Sequence, residues 1–244
     1  MYYAEYLSNF RSLVIAVSTL FRGMSKPQMT RLRRDIILNE YSDAGAEEIH
    51  LSTNTYAQLN AGRMLLVDMN VLSLLPFVRK LSDDGYSPAA LVLSHRHVVK
   101  LGDSIGDLST EFKIPVLIHP IDAGHQQALA SGIQFENPVG HIVLGEFGFE
   151  ALLFPGQTAG SVVLYSTKHG GLLLTGDSAM GTTVDQAKAG LERLVRPPIE
   201  TSVDDAELRE QWLAFDRQVQ RCYRFMGQDI LIDRQLTLLQ SCVL

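Results

Sequence analysis

The sequence predicts an α/β protein built in layers. Strand-like and helix-like runs are mixed along the chain, and its two halves repeat a similar rhythm. No internal repeat, low-complexity run or Pro/Ser-rich linker divides them, which favours one continuous domain within the 244 residues. A hydrophobic content of 46% with 20% charged residues describes a soluble globular chain able to bury a sizeable core. The formal net charge of −6 leaves no basic footprint for nucleic acid, and the cluster Arg31, Arg33, Arg34 is too short to supply one. Cys222 and Cys242 form no CxxC and no framework spacing, so structural disulfides are not expected and a reducing cytoplasm is the expected location.

The elements follow in order. Leu13 to Leu20 (LVIAVSTL) is apolar but too short to span a bilayer, and no small-x-small cleavage site follows it. It reads as a packing helix in an N-terminal helical extension over 1–30, offering a surface for homodimer contacts; the main domain is expected over 31–244. Short strands come next (RDIILNEY, EIHLSTNTYAQLN, RMLLVD), separated by turn formers such as Asp43-Ala44-Gly45 and Gly62. From Val71 the pattern turns helical, with Leu74, Leu75, Val78 and Leu81 on one face, and ends near Gly85. The buried strand ALVLS leads straight into His95. A helix carrying Ile105, Leu108 and Phe112, the strand IPVLIHP and a helix from about Asp122 to Ala130 complete the first half. In the second, FGFEALLF reads as a strand, and SVVLYST with GLLLTGD as a hairpin. Leu208, Trp212, Phe215, Val219, Cys222 and Met226 recur at four- and three-residue spacing, one buried face of a long helix, before a last strand DILID.

Two segments carry chemistry. In LVLSHRHVVKLGD (91–103) a buried strand releases His95 and His97. Residues i and i+2 of extended backbone point the same way, so both imidazoles can converge on one cation, although such a pair is more often structural. In LLFPGQTAGSVVLYSTKHGGLLLTGD (152–177), turns surround Gln157 and Thr158, and a hairpin delivers Asp177, a residue that by itself reads as a turn or cap. His50, His125, His141 and His169 read as surface or capped residues.

Together these segments resemble the metallo-β-lactamase superfamily: an HxHxDH motif, a PGHT-x-G turn and a TGD reached through a hairpin, in that order. LLVDMN, ending the strand at Asp68, resembles the strand whose acidic end backs the site. LIHPIDA resembles a segment that follows the first motif, with His119 structural rather than a metal ligand. The resemblance spans about residue 34 to the C-terminus and implies a four-layer αββα sandwich, two mixed sheets face to face with helices outside.

The same resemblance implies a metal site largely dismantled. Val99 stands where the motif Asp belongs and Lys100 where its third His belongs. Gln157 replaces the turn His, and Gln235 is the nearest equivalent of the C-terminal His. The second metal position therefore keeps only Asp177, and Lys100 would set an ammonium where a dication sits, able to pair with Asp177. The first position keeps His95, His97 and Asp177, with Gln157 offering an amide oxygen, a set adequate at most for one zinc or iron ion. The expected function is a cytoplasmic binding or scaffold protein, a pseudoenzyme with a small molecule or protein in its cleft and no membrane or nucleic-acid partner. The alternative is a single-metal hydrolase of an ester, thioester or phosphoester, in which Asp177 is a ligand and Lys100 stabilises an oxyanion.

Overall fold

Strands rich in apolar residues build the first sheet of the computed structural model, which describes residues 12–18, 28–31, 36–40, 54–69, 75–100, 104–168, 171–181 and 194–223. Its strands are β1 (Ser12–Ser18), β2 (Gln28–Arg31), β3 (Ile36–Glu40), β4 (Asn54–Asn60), β5 (Arg63–Val67), β6 (Ser87–Val92), β7 (Val116–Leu117) and β8 (Phe135–Glu136). They lie in the order β2-β3-β1-β4-β5-β6-β7-β8. The N-terminal run read as a packing helix is thus a strand inside the sheet. β1 pairs antiparallel with β4 from Ser12↔Asn60 to Ser18↔Asn54 and parallel with β3. Val14, Ile15 and Val17 are β-branched and favour a pleated surface, and so short an apolar run carries no period that separates strand from buried helix.

The second sheet has the order β12-β11-β10-β9, from β9 (Glu150–Leu153), β10 (Val162–Ser166), β11 (Leu172–Leu174) and β12 (Arg221–Tyr223). β10 and β11 form the expected hairpin. Helices α1 (Leu75–Asp83), α2 (Arg96–Lys100), α3 (Ser104–Phe112), α4 (Pro120–Ala123), α5 (Gln126–Ala130), α6 (Ile142–Phe147) and α7 (Asp205–Ala214), with a 3-10 turn at Ile199–Thr201, complete the described elements.

Three buried clusters define the layers. On one face of the first sheet Leu59, Met64, Leu66 and Leu91 pack with Val78 of α1, Val98 of α2 and Leu108 of α3. Its other face, with Leu65, Val67 and Val92, meets Leu164, Leu172 and Leu174 of the second sheet. The outer face of that sheet, with Val163, Tyr165 and Leu173, packs against Leu208 and Trp212 of α7. Alternate residues of one strand thus belong to different clusters, as a period of two requires when both faces are covered. The result is the αββα sandwich. Among the described residues no helix is long and apolar enough to cross a membrane.

The long C-terminal helix is shorter than its stripe suggested. α7 is capped at its start by Asp204, whose carboxylate accepts the Glu207 N–H at 2.9 Å, and ends where Phe215 turns extended (φ −71°, ψ 110°). Phe215, Val219 and Cys222 are buried as expected, but from an extended segment that enters β12 beside β11. Parallel pairing with β11 satisfies backbone that a helix would have left unpaired at this sheet edge, and that tertiary gain overrides the local period. The helix expected over 122–130 is two short helices, α4 and α5. FGFEALLF is a strand only over β9, preceded by α6, which ends at Gly148 in the left-handed conformation. Met226 and the DILID strand lie outside the described residues.

Candidate functional site

Ser94, two residues beyond β6, joins the two sheets. Its N–H donates to Asp68 Oδ1 at 2.7 Å, and its carbonyl accepts the Val162 N–H at 2.8 Å where β10 begins. Asp68 follows the neighbouring parallel strand β5, is buried, and adopts a positive φ of 54°. Burial pushes its carboxyl up to about 6, against the opposing influence of His95 and of the Ser94 hydrogen bonds.

His95 comes next and is 1% exposed. Its Nδ1 lies 2.8 Å from Ser94 Oγ and its Nε2 lies 3.2 Å from Asp177 Oδ2. Burial works to lower the imidazole pKa, but Asp177, with Asp68 and Asp122, outweighs it and the net shift is upward. Asp177 is also buried, and its second oxygen, Oδ1, has no hydrogen-bond partner among the described residues. The TGD turn reaches this depth because Gly176 has φ 54°, and a Cβ there would stand 2.4 Å from Ser94 Oγ. Only glycine meets both conditions.

His97 does not reach the site through extended backbone. It lies in the first turn of α2, so the i, i+2 geometry does not apply, yet its ring still packs edge-on against His95 with centroids 5.5 Å apart. Gln157, 1% exposed, places its amide nitrogen 3.0 Å from His97 Nδ1, while Ser161 Oγ lies 3.4 Å from Gln157 Oε1. Burial, then the positive charges of His95 and Arg96, lower the His97 pKa to about 4. The ring is therefore neutral near pH 7, and a Gln157 N–H donated to Nδ1 leaves its proton on Nε2.

The fold thus brings His95, His97, Gln157 and Asp177 together. Val99 is buried against the core at 7% exposed, so an apolar group occupies the place of the motif carboxylate. The backbone of Lys100 closes α2; its side chain, and Gln235, His50 and His169, lie outside what is described. His119 caps α4, its Nδ1 accepting the Ile121 N–H at 3.4 Å, and His141 caps α6 while its Nε2 lies 3.1 Å from Glu136. His125 sits exposed between α4 and α5.

One central residue escaped the sequence reading. Asp122, 0% exposed, accepts hydrogen bonds from Arg96, Thr158 and Gly160. LIHPIDA marked the segment, but nothing in its pattern says that this carboxylate reaches two segments far away in the chain.

No protein-family model matches the chain, and no curated protein matches its sequence. Solved structures do. TMB-1 superposes with a TM-score of 0.64 at 11% identity, over 90% of this chain and 97% of that one. A metallo-β-lactamase from Pontibacter korlensis gives 0.61 at 13%, over 88% and 98%. One from Hirschia baltica gives 0.62 at 12%, over 84% and 92%. The chain has the metallo-β-lactamase fold.

For the paired ions that the resemblance implies, the described residues of this metallo-β-lactamase-fold chain offer few free donors. The second position would need donors where Val99 is buried in the core. At the first, His95 Nδ1 faces Ser94 Oγ, His95 Nε2 faces Asp177, and His97 Nδ1 faces the Gln157 amide. An ion would have to part these contacts, and a neutral amide replaces them poorly. Among the described residues, no group of three or more His, Cys, Asp or Glu side chains is disposed to hold a metal ion.

Proposed function

We propose that this protein is a pseudoenzyme of the metallo-β-lactamase fold, a cytoplasmic binding or scaffold protein whose cleft takes a small molecule or protein without a dinuclear metal centre. The observation that carries the reading is the mutual pairing of the would-be donors, His95 with Asp177 at 3.2 Å and His97 with Gln157 at 3.0 Å. Imidazole and carboxylate groups that answer one another make a polar site with no need of a cation. Gln157 and the Nε2–H of a neutral His97 would then serve as recognition groups. Fold does not dictate function, and the site argues against the chemistry of the fold's namesakes.

A second reading, a hydrolase with a single ion acting on an ester, thioester or phosphoester, is favoured by the unpartnered Asp177 Oδ1, which suits any cation. Lys100 would compete for the same oxygen. Purification without chelator, zinc supplementation and plasma mass spectrometry for zinc, iron and manganese separate the two. The binding reading expects less than about a tenth of an equivalent of metal per chain. Near-stoichiometric metal that disappears in His95→Ala overturns it in favour of the hydrolase.

A further inference from the structure

Asp122 sits in α4 with no exposed surface, yet four donors converge on it. Each carboxylate oxygen takes one bond from Arg96 at the start of α2 and one from the 157–160 turn. Oδ2 accepts the Arg96 backbone N–H at 2.8 Å and the Thr158 hydroxyl at 2.6 Å. Oδ1 accepts Arg96 Nη1–H at 3.2 Å and the Gly160 N–H at 3.0 Å. Arg96 stands between His95 and His97, and Thr158 follows Gln157. Gly160 lies so close that a Cβ on it would meet Asp122 Cγ at 2.7 Å.

We propose that Asp122 is the positioning residue of the site: its carboxylate locks the His95–His97 segment at the start of α2 to the 157–160 turn, so that the His97–Gln157 hydrogen bond forms with no ion to draw the two segments together. The proposal rests on the cleft reading above. The symmetry of the contacts supports it. A carboxylate needed only to anchor α4 has no reason to divide both of its oxygens between the same two distant segments. Four donors on two oxygens also require a group that accepts everywhere. Asparagine in this place turns an NH2 toward one donor from each segment, whichever way it faces. A charge-assisted network that is largely buried is stronger than its separate bonds, and it fails as a unit when one acceptor is lost.

The test uses the full chain after chelator treatment, as wild type and as Asp122→Asn and Thr158→Val. Hydrogen exchange is read along the backbone, and the imidazole nitrogens of His97 are followed by NMR. In Asp122→Asn, exchange of residues 96–98 and 157–161 should accelerate together by about tenfold or more, while β5 and β6 stay protected. The His97 Nδ1 resonance should leave its Gln157-bonded position at the same time. Thr158→Val, which removes one donor and is the milder change, should show the same joint opening to a smaller extent. A lowered unfolding midpoint with an unmoved His97 resonance, or opening of one segment alone in either variant, overturns the proposal and leaves Asp122 a residue of the fold. Every reading is taken without metal. Metal found later in untreated protein would therefore end the binding reading without touching this result.

Discussion

Asp177→Asn probes the His95–Asp177 contact through the pH dependence of stability. The side chains of His95 and Asp177 are 1% and 8% exposed, so solvent screening discounts the interaction little. Removing one partner of a buried pair costs about 3 kcal/mol at the lower end of its range, which suits a histidine that can shed its proton. With an m-value of about 3 kcal/mol/M for a chain of this size, the urea midpoint should fall by roughly 1 M. The sign follows from linkage. The His95 pKa is raised above its ordinary 6.5 in the folded state, so its stabilising contribution is complete below 6.5 and is lost as pH climbs through the folded value. His97, lowered to about 4, acts oppositely: its contribution is complete above 6.5 and is lost as pH falls toward 4. Asp68, raised to about 6, contributes stability that is complete below 3.8 and lost by pH 6. Both are spent below 6.5, leaving the window from pH 7 to 9 to His95. In Asp177→Asn burial becomes the ruling influence on His95, and the slope from that residue disappears above 6.5. Urea unfolding in chelator at pH 7, 8 and 9 should therefore show the gap between wild type and variant narrowing as pH rises. A gap that is absent, or constant across those three points, refutes the pairing.

Three further outcomes are expected. Gln157→His replaces the amide beside His97 with an imidazole and should raise bound zinc from under about a tenth to near one equivalent by plasma mass spectrometry. Gly176→Ala places a Cβ 2.4 Å from Ser94 Oγ at φ 54° and should destabilise by about 2–4 kcal/mol in urea unfolding. Trp212→Ala empties a fully buried site that touches Phe154 and Phe215 and loses an Nε1–H bond to the Ser178 carbonyl at 2.9 Å; followed by circular dichroism, it should lose about 3–5 kcal/mol.

The fold was legible in the sequence where one residue type could mean only one thing. The apolar run Met64, Leu65, Leu66 and Val67 read as a strand, which it is, and Gly85 marked a helix end where the backbone is left-handed. It misled where one pattern served two structures. Val14, Ile15 and Val17 pack equally well in a buried helix or strand. Phe215, Val219 and Cys222 kept a helical spacing while lying in extended chain, because burial was decided by the face of the second sheet rather than by the local period. The candidate residues His95, His97, Gln157 and Asp177 were visible through the resemblance, but the contacts they make were not. Nothing local says that the Gln157 amide meets Nδ1 of a ring 60 residues away.

That invisibility has a physical cause, and Asp122 shows it most plainly. A metal ligand advertises itself by type, since few side chains bind a cation well. A buried carboxylate can be satisfied by any N–H or O–H that arrives, here two backbone amides, a hydroxyl and a guanidinium, and the backbone donors leave no trace in the sequence at all. A site held by hydrogen bonds is therefore less readable in a sequence than one held by coordination bonds. The substitutions at 99, 100 and 157 look like loss on the page, yet in space Gln157 answers His97 and Asp177 answers His95. The buried acceptor left over is Asp177 Oδ1, for which no described donor stands ready. An unsatisfied buried acceptor of this kind costs about 1–3 kcal/mol, so on the proposed binding role a ligand that reaches this oxygen with a donor gains most there.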